Sequence, residues 1–129
     1  MPLLRIDLYK GRTEAEKKTL LDALHRAMLA AFKVPERDRY QIVHEHDPAT
    51  MIMEDTGLDI PRTDKFVCIQ VTTRPRTREQ KEQFYRLTVE ELQKSCGIAP
   101  TDVMMNMVTC TDEDWSFGLG RAQFLTGEL

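Results

Sequence analysis

Apolar and polar positions along this chain follow two periods, and the order in which those periods occur predicts the fold. Residues 3–8, 40–43, 66–72 and 103–108 are short apolar stretches rich in side chains that suit a pleated surface, so each is expected to be a strand. After the first stretch, Leu20, Leu24, Ala27, Met28 and Ala31 recur at helical spacing and mark one buried stripe. That helix opens at Thr13, and Glu16 three positions later completes a capping box. A second helix opens in the same way at Thr77 with Gln80 and turns Phe84, Leu87 and Leu92 inward. It reaches Gly97 where its C-cap needs a residue free to adopt positive φ.

The two halves repeat one another. With an offset of 64 the chain aligns on itself without a gap: Arg12-Thr13-Glu14-Ala15-Glu16-Lys17 falls on Arg76-Thr77-Arg78-Glu79-Gln80-Lys81, and Asp38 falls on Asp102. The expected fold class is α/β (α+β by some schemes). A single domain, 1–129, would hold two consecutive βαβ units, about 1–64 and 65–129, in a four-stranded mixed sheet with both helices on one face. Val67, Ile69 and Val71 alternate with Phe66, Cys68 and Gln70, so apolar residues are expected on both faces of that sheet. In a chain this short, the face without helices favours self-association unless the carboxyl-terminal tail covers it.

Composition narrows the classes. With 41% hydrophobic and 30% charged residues the chain reads as an ordinary soluble globular protein, and no apolar run approaches the roughly 20 residues that span a bilayer. A net charge of −3 with no dominant basic face argues against nucleic acid as a partner. Met1-Pro2-Leu3-Leu4-Arg5 has no secretory pattern, and Cys68, Cys96 and Cys110 are odd in number without CxxC spacing. They read as reduced, buried thiols of a cytoplasmic protein.

Within this frame a few residues can carry chemistry. Initiator methionine is normally removed before a small residue such as proline, so Pro2 would begin the mature chain as a secondary amine, in a range useful for acid, base or nucleophilic work. Arg74-Pro75-Arg76 lies between a strand and a capped helix, where proline stiffens the turn. Its two guanidinium groups make a site for a carboxylate or phosphate, unless they pair with helix acids such as Glu79. Asp38, just before the second strand, can orient a substrate or bias a neighbouring amine; pairing with Arg37 or Arg39 is the plainer role. The tail segment Trp115-Ser116-Phe117-Gly118 with Phe124 either closes the sheet or walls a pocket. His44 and His46 share a face only if their strand continues that far, and without a third ligand no metal is expected.

Pro2, the doubled βαβ plan, Asp38, the Arg74-Pro75-Arg76 turn and Trp115-Ser116-Phe117-Gly118 together resemble the tautomerase superfamily, and within it the malonate semialdehyde decarboxylase-like subgroup. The resemblance covers nearly the whole chain, including Glu54-Asp55-Thr56-Gly57 and Phe124-Leu125-Thr126-Gly127. It implies a homotrimer with catalytic Pro2 at the base of each site and Asp38 assisting it. Arg74 and Arg76 would bind the carboxylate of a small substrate, beside a hydrophobic wall of Trp115, Phe117, Phe124 and Leu129. The implied reaction is cofactor-free decarboxylation of a 3-oxo acid such as malonate semialdehyde, with a cationic Pro2 at neutral pH. The alternatives are keto–enol tautomerisation of a 2-oxo acid with neutral Pro2 as base, a hydratase or dehalogenase, and a non-enzymatic cytokine-like binding protein.

Overall fold

The computed structural model describes residues 1–129. Strands β1 (Leu3–Tyr9), β2 (Tyr40–His46), β3 (Val67–Thr73) and β4 (Val103–Thr109) form one sheet; α1 (Glu14–Phe32) and α2 (Arg78–Cys96) are the long helices, and α3 (Gln123–Thr126) is a single turn in the tail. The strand order is β2-β1-β3-β4, with parallel pairs β1–β2 and β3–β4 on either side of an antiparallel β1–β3 pair. This is the mixed sheet expected of two βαβ units. The offset of 64 carries β1 onto β3 and α1 onto α2 without remainder.

Both capping boxes form. Thr13 Oγ1 accepts the Glu16 N–H at 3.1 Å while Glu16 Oε1 accepts the Thr13 N–H at 3.0 Å, and Thr77 with Gln80 repeats the pattern at 3.1 and 2.9 Å. At the other ends the halves differ. Gly97 takes the left-handed conformation (φ 65°) freely, whereas Lys33 takes it (φ 55°) at a cost of roughly 1 kcal/mol.

The core lies between the helices and one face of the sheet. Leu4, Ile6, Leu8, Val67, Ile69 and Val71 are wholly buried there against Leu24 of α1 and Phe84 and Leu92 of α2, and Phe32 stacks on Phe84 at 5.3 Å. Leu87 is only partly buried at the margin of this cluster. By register, the opposite face mixes Leu3, Ile42, Met104 and Val108 with Arg5, Asp7, Gln70 and Asn106, so it is more polar than its sequence suggested. The tail does not cover it: Met104 and Val108 remain 40% and 44% exposed.

β2 runs three residues past the predicted 40–43, because its parallel partner β1 continues to Tyr9 and each added side chain finds company. Glu45 turns toward α1 and pairs with Lys17 at 2.9 Å. His44 and His46 do share the outer face, where their ring nitrogens lie 3.7 and 2.6 Å from Asp7 Oδ1. The three cysteines are free, but half-buried rather than buried. Burial still pushes the Cys68 and Cys96 thiols up. No helix is long and apolar enough to cross a membrane.

The connection from β2 to β3 has little regular structure and is held by side chains. Asp102, 2% exposed, accepts the Thr63 N–H at 2.7 Å and the Thr63 hydroxyl at 2.6 Å, while Arg62 donates to the Thr101 carbonyl at 2.6 Å. Asp102→Ala strands both Thr63 donors. We expect it to cost about 2–3 kcal/mol in urea denaturation, as loss of hydrogen bonds to a charged acceptor does. A change below about 0.5 kcal/mol would mean the clamp contributes nothing.

Candidate active site

Chain termini of several elements meet at one end of the sheet. The start of β1 carries Pro2, the turn before β2 carries Asp38, the end of β3 runs into Arg74-Pro75-Arg76, and the end of β4 runs into Cys110. The amino group of Met1 lies there, 3.8 Å from Asp38 Oδ2. It stands in for the secondary amine that Pro2 would present three bonds further along once Met1 is lost; Pro2 itself is buried.

Each arginine is anchored through Nε and laid across an aromatic ring. Arg74 Nε donates to Asp112 Oδ1 at 2.7 Å, and its guanidinium sits 4.1 Å from the centre of the Phe124 ring. Arg76 Nε donates to Thr73 Oγ1 at 3.0 Å, and its guanidinium lies 4.7 Å from the centre of the Phe32 ring. Neither pairs with Glu79. No protein hydrogen bond uses the terminal nitrogens of either guanidinium, so both forks are oriented yet unengaged, the arrangement that recognises a carboxylate.

Asp38 pairs with neither Arg37 nor Arg39; Arg39 binds Asp22 and Gln41 instead, at 2.8 Å each. Asp38 is 7% exposed, and its Oδ1 has no hydrogen-bond partner. Burial pushes its pKa above the usual carboxylate range, although the terminal amine, Arg76 and His25 pull the other way. At the amine, burial lowers the pKa, Asp38 opposes it, and Arg76 and Arg74 lower it further. The net direction for the Met1 amine is down, because desolvation outweighs the single buried carboxylate.

A cavity of about 480 Å³ gathers these groups, lined by Met1, Asp38, Arg74, Arg76, Phe117, Phe124 and Leu129 among others. Phe117 stacks on Tyr40 at 6.0 Å and meets Phe124 edge-on at 5.4 Å, so the tail walls this pocket instead of closing the sheet. Trp115 stands one layer back. It stacks on Phe117 at 5.5 Å and donates its indole N–H to Cys110 Sγ at 2.9 Å, and it does not line the cavity. Tyr40 and Phe32 also line the cavity; sequence reasoning placed Tyr40 only at the start of a strand and gave Phe32 no role. No three His, Cys, Asp or Glu side chains converge to hold a metal ion.

Comparison with known proteins follows the same lines. Family profiles described as tautomerase enzyme match residues 38–118 and 2–59. The chain belongs to the tautomerase family. This tautomerase-family protein is 54% identical to the probable tautomerase YrdN of Bacillus subtilis (strain 168) over the full length of both chains, and 33% identical to the probable tautomerase YusQ of the same organism over 97% and 99% of the two chains. Among solved structures it is similar to malonate semialdehyde decarboxylase in wild-type, mutant and inactivated forms, with a TM-score of 0.97, 53% identity and 98% of each chain covered. A second malonate semialdehyde decarboxylase, inhibited by 3-bromopropiolate, superposes at a TM-score of 0.94 with 40% identity, covering 98% of this chain and 97% of that one.

The charge balance makes a prediction for the mature chain beginning at Pro2. Asp38→Asn removes the one carboxylate favouring the ammonium and lowers the amine pKa, whereas Arg76→Met raises it. Nitrogen NMR of Pro2 checks both directions. Stability moves oppositely at Asp38. A carboxyl whose folded pKa is raised contributes stability below its unfolded pKa and loses it as pH rises through the folded value. Asp38→Asn is therefore at least as stable as wild type at neutral pH, and the advantage shrinks as the pH falls.

Proposed function

We propose that this tautomerase-family enzyme decarboxylates a small 3-oxo acid such as malonate semialdehyde, with the amine of Pro2 acting after loss of Met1. One observation carries the reading: two anchored guanidinium forks with free terminal nitrogens face the same cavity as the amino terminus and a buried aspartate. Whole-length similarity to malonate semialdehyde decarboxylase supports it.

In this reading Arg74 and Arg76 grip the substrate carboxylate and turn its carbon–carbon bond parallel to the carbonyl π system, an effect of orientation. The Pro2 ammonium, kept charged by Asp38, donates a hydrogen bond to the carbonyl oxygen. When the bond to the carboxylate breaks, its electron pair moves into the carbonyl to give an enolate, and carbon dioxide leaves. One proton is then taken up at carbon, giving acetaldehyde. Phe117 and Phe124, with Trp115 behind them, keep water from the breaking bond and favour departure of a neutral molecule. No step calls on a metal or organic cofactor. In this reading the enzyme works in the cytoplasm on a small carboxylate-bearing substrate, with neither nucleic acid nor membrane as a partner.

A second reading has its own support. Burial and the two arginines lower the amine pKa, and a neutral Pro2 suits proton transfer in a keto–enol tautomerase of 2-oxo acids, bound through the same arginines. Acetaldehyde release from malonate semialdehyde, run beside phenylenolpyruvate ketonisation, separates the two. The decarboxylase reading expects Pro2 to titrate above about pH 8; a value near pH 6 selects the tautomerase. In whichever assay is active, Arg74→Ala and Arg76→Ala should each lose at least about tenfold in kcat/KM, or about 1.4 kcal/mol, and Pro2→Ala should lose more. Unchanged kinetics in an arginine variant would remove that residue from carboxylate binding. Full activity with Met1 still attached, verified by intact mass, would sink amine catalysis altogether.

A homotrimer completes the proposal. Ile52, Leu58, Leu119, Leu125 and Leu129 are 62–82% exposed in one chain, and Leu129 belongs to the cavity wall. The fold is shared with trimers of fused 4-OT, at a TM-score of 0.79 and 23% identity. Sedimentation equilibrium should give three chains per particle; a monomer at micromolar concentration would refute the trimer.

A further inference from the structure

The buried stripe of α1 contains one titratable side chain, and packing does not explain it. His25 is 6% exposed, between Leu24 and Ala27 on the face that meets the core. Under the offset of 64 it falls on Val89 of α2, so the half without an amine uses an aliphatic residue at the same place.

Both nitrogens of the ring are informative. His25 Nε2 lies 2.8 Å from the Glu36 carbonyl oxygen, and since a carbonyl only accepts, Nε2 carries a proton. That bond ties α1 to the turn before β2, in which the Asp38 N–H donates to the Pro35 carbonyl at 2.9 Å. Glu36 and Asp38 flank a single residue, so fixing the Glu36 carbonyl fixes where the Asp38 carboxylate stands. The other nitrogen, Nδ1, is buried without a hydrogen-bond partner, and so is Asp38 Oδ1. Orphaned polar atoms are uncommon in folded proteins, and here two occur on residues joined through one turn.

We propose that His25 is a positioning residue for the amino-terminal amine, acting through Asp38: its Nε2–H holds the Glu36 carbonyl and so sets the turn that carries the carboxylate. Three groups face Asp38, namely the terminal amine, Arg76 and His25. Asp38, Arg76, Arg74 and Cys110 face the amine. Asp38 is the carboxylate that favours the ammonium, so a turn released from His25 lets it draw back and leaves the amine to burial and the two arginines.

The inference rests on the reading that Pro2 is the reactive amine, but its test observes the amine and not turnover. The mature chain is titrated by nitrogen NMR, wild type beside His25→Leu, which loses the donor to the Glu36 carbonyl, and His25→Gln, whose amide nitrogen keeps a donor near Nε2. His25→Leu should lower the Pro2 midpoint by about one pH unit, and His25→Gln should keep it near the wild-type value. An unmoved midpoint in a folded His25→Leu overturns the proposal and reduces His25 to a packing residue. Should His25→Leu fail to fold, His25→Asn, whose shorter amide stops short of the Glu36 carbonyl, takes its place with the same expected drop, and an unmoved midpoint there is equally fatal. A moved midpoint in a protein that neither decarboxylates nor tautomerises would sink the proposed function and leave this inference standing.

Discussion

The antiparallel pairing of β1 with β3 is the contact on which everything else depends. Its register sets Leu3 opposite Thr72, so the start of one strand lies beside the end of the other. Since β2 runs parallel to β1 and β4 parallel to β3, two starts and two ends are gathered at one end of the sheet. That is how the amino terminus comes to share a cavity with an arginine turn more than seventy residues away in sequence. The same register puts Leu4, Ile6 and Leu8 on the side of Val67, Ile69 and Val71. A slip by one residue would turn β1's apolar set away from the helices and move the terminus relative to Arg74. Core and site are thus specified by one set of backbone hydrogen bonds.

The site holds charge where a protein interior resists it. Two guanidinium groups, an amine and a buried carboxylate share a small volume, and the carboxylate leaves an oxygen unpaired. The repeat shows what this arrangement replaces. Asp102, the counterpart of Asp38, occupies the same place in the second half, satisfied at both oxygens by Thr63 in the segment that leads into β3. In the first half the corresponding segment is the chain terminus. One aspartate serves stability and the other gives some of it up, which is how functional groups are often accommodated on a symmetric scaffold.

Much of this was legible in sequence because it was encoded locally. The capping boxes, the helical stripes and the arginine turn all reside in short windows, and the tautomerase resemblance was visible in scattered motifs. What escaped depended on partners distant in sequence. The extension of β2 to His46 looks polar until Asp7 and Lys17 are seen beside it. Trp115 reads as a wall residue until it is found behind Phe117. The charge state of the amine is a sum of opposing effects whose sizes are set by depth, and no residue pattern records depth. His25 carried a signal that could have been read: it breaks an apolar stripe at a position where the other half keeps valine.

The junction between the halves has a consequence for how many reactive ends one polypeptide can possess. Phe66 matches Pro2 in the repeat, but its nitrogen is an internal amide that donates to the Thr63 carbonyl at 3.2 Å. An amide nitrogen delocalises its lone pair into the neighbouring carbonyl and is neither a base nor a nucleophile at ordinary pH. Covalent fusion of two like units therefore silences one of the two potential amines outright. The second half carries scaffold in its place: its aspartate is a clamp on Thr63, and its loop holds the two arginines that line the cavity beside the amino terminus of the first.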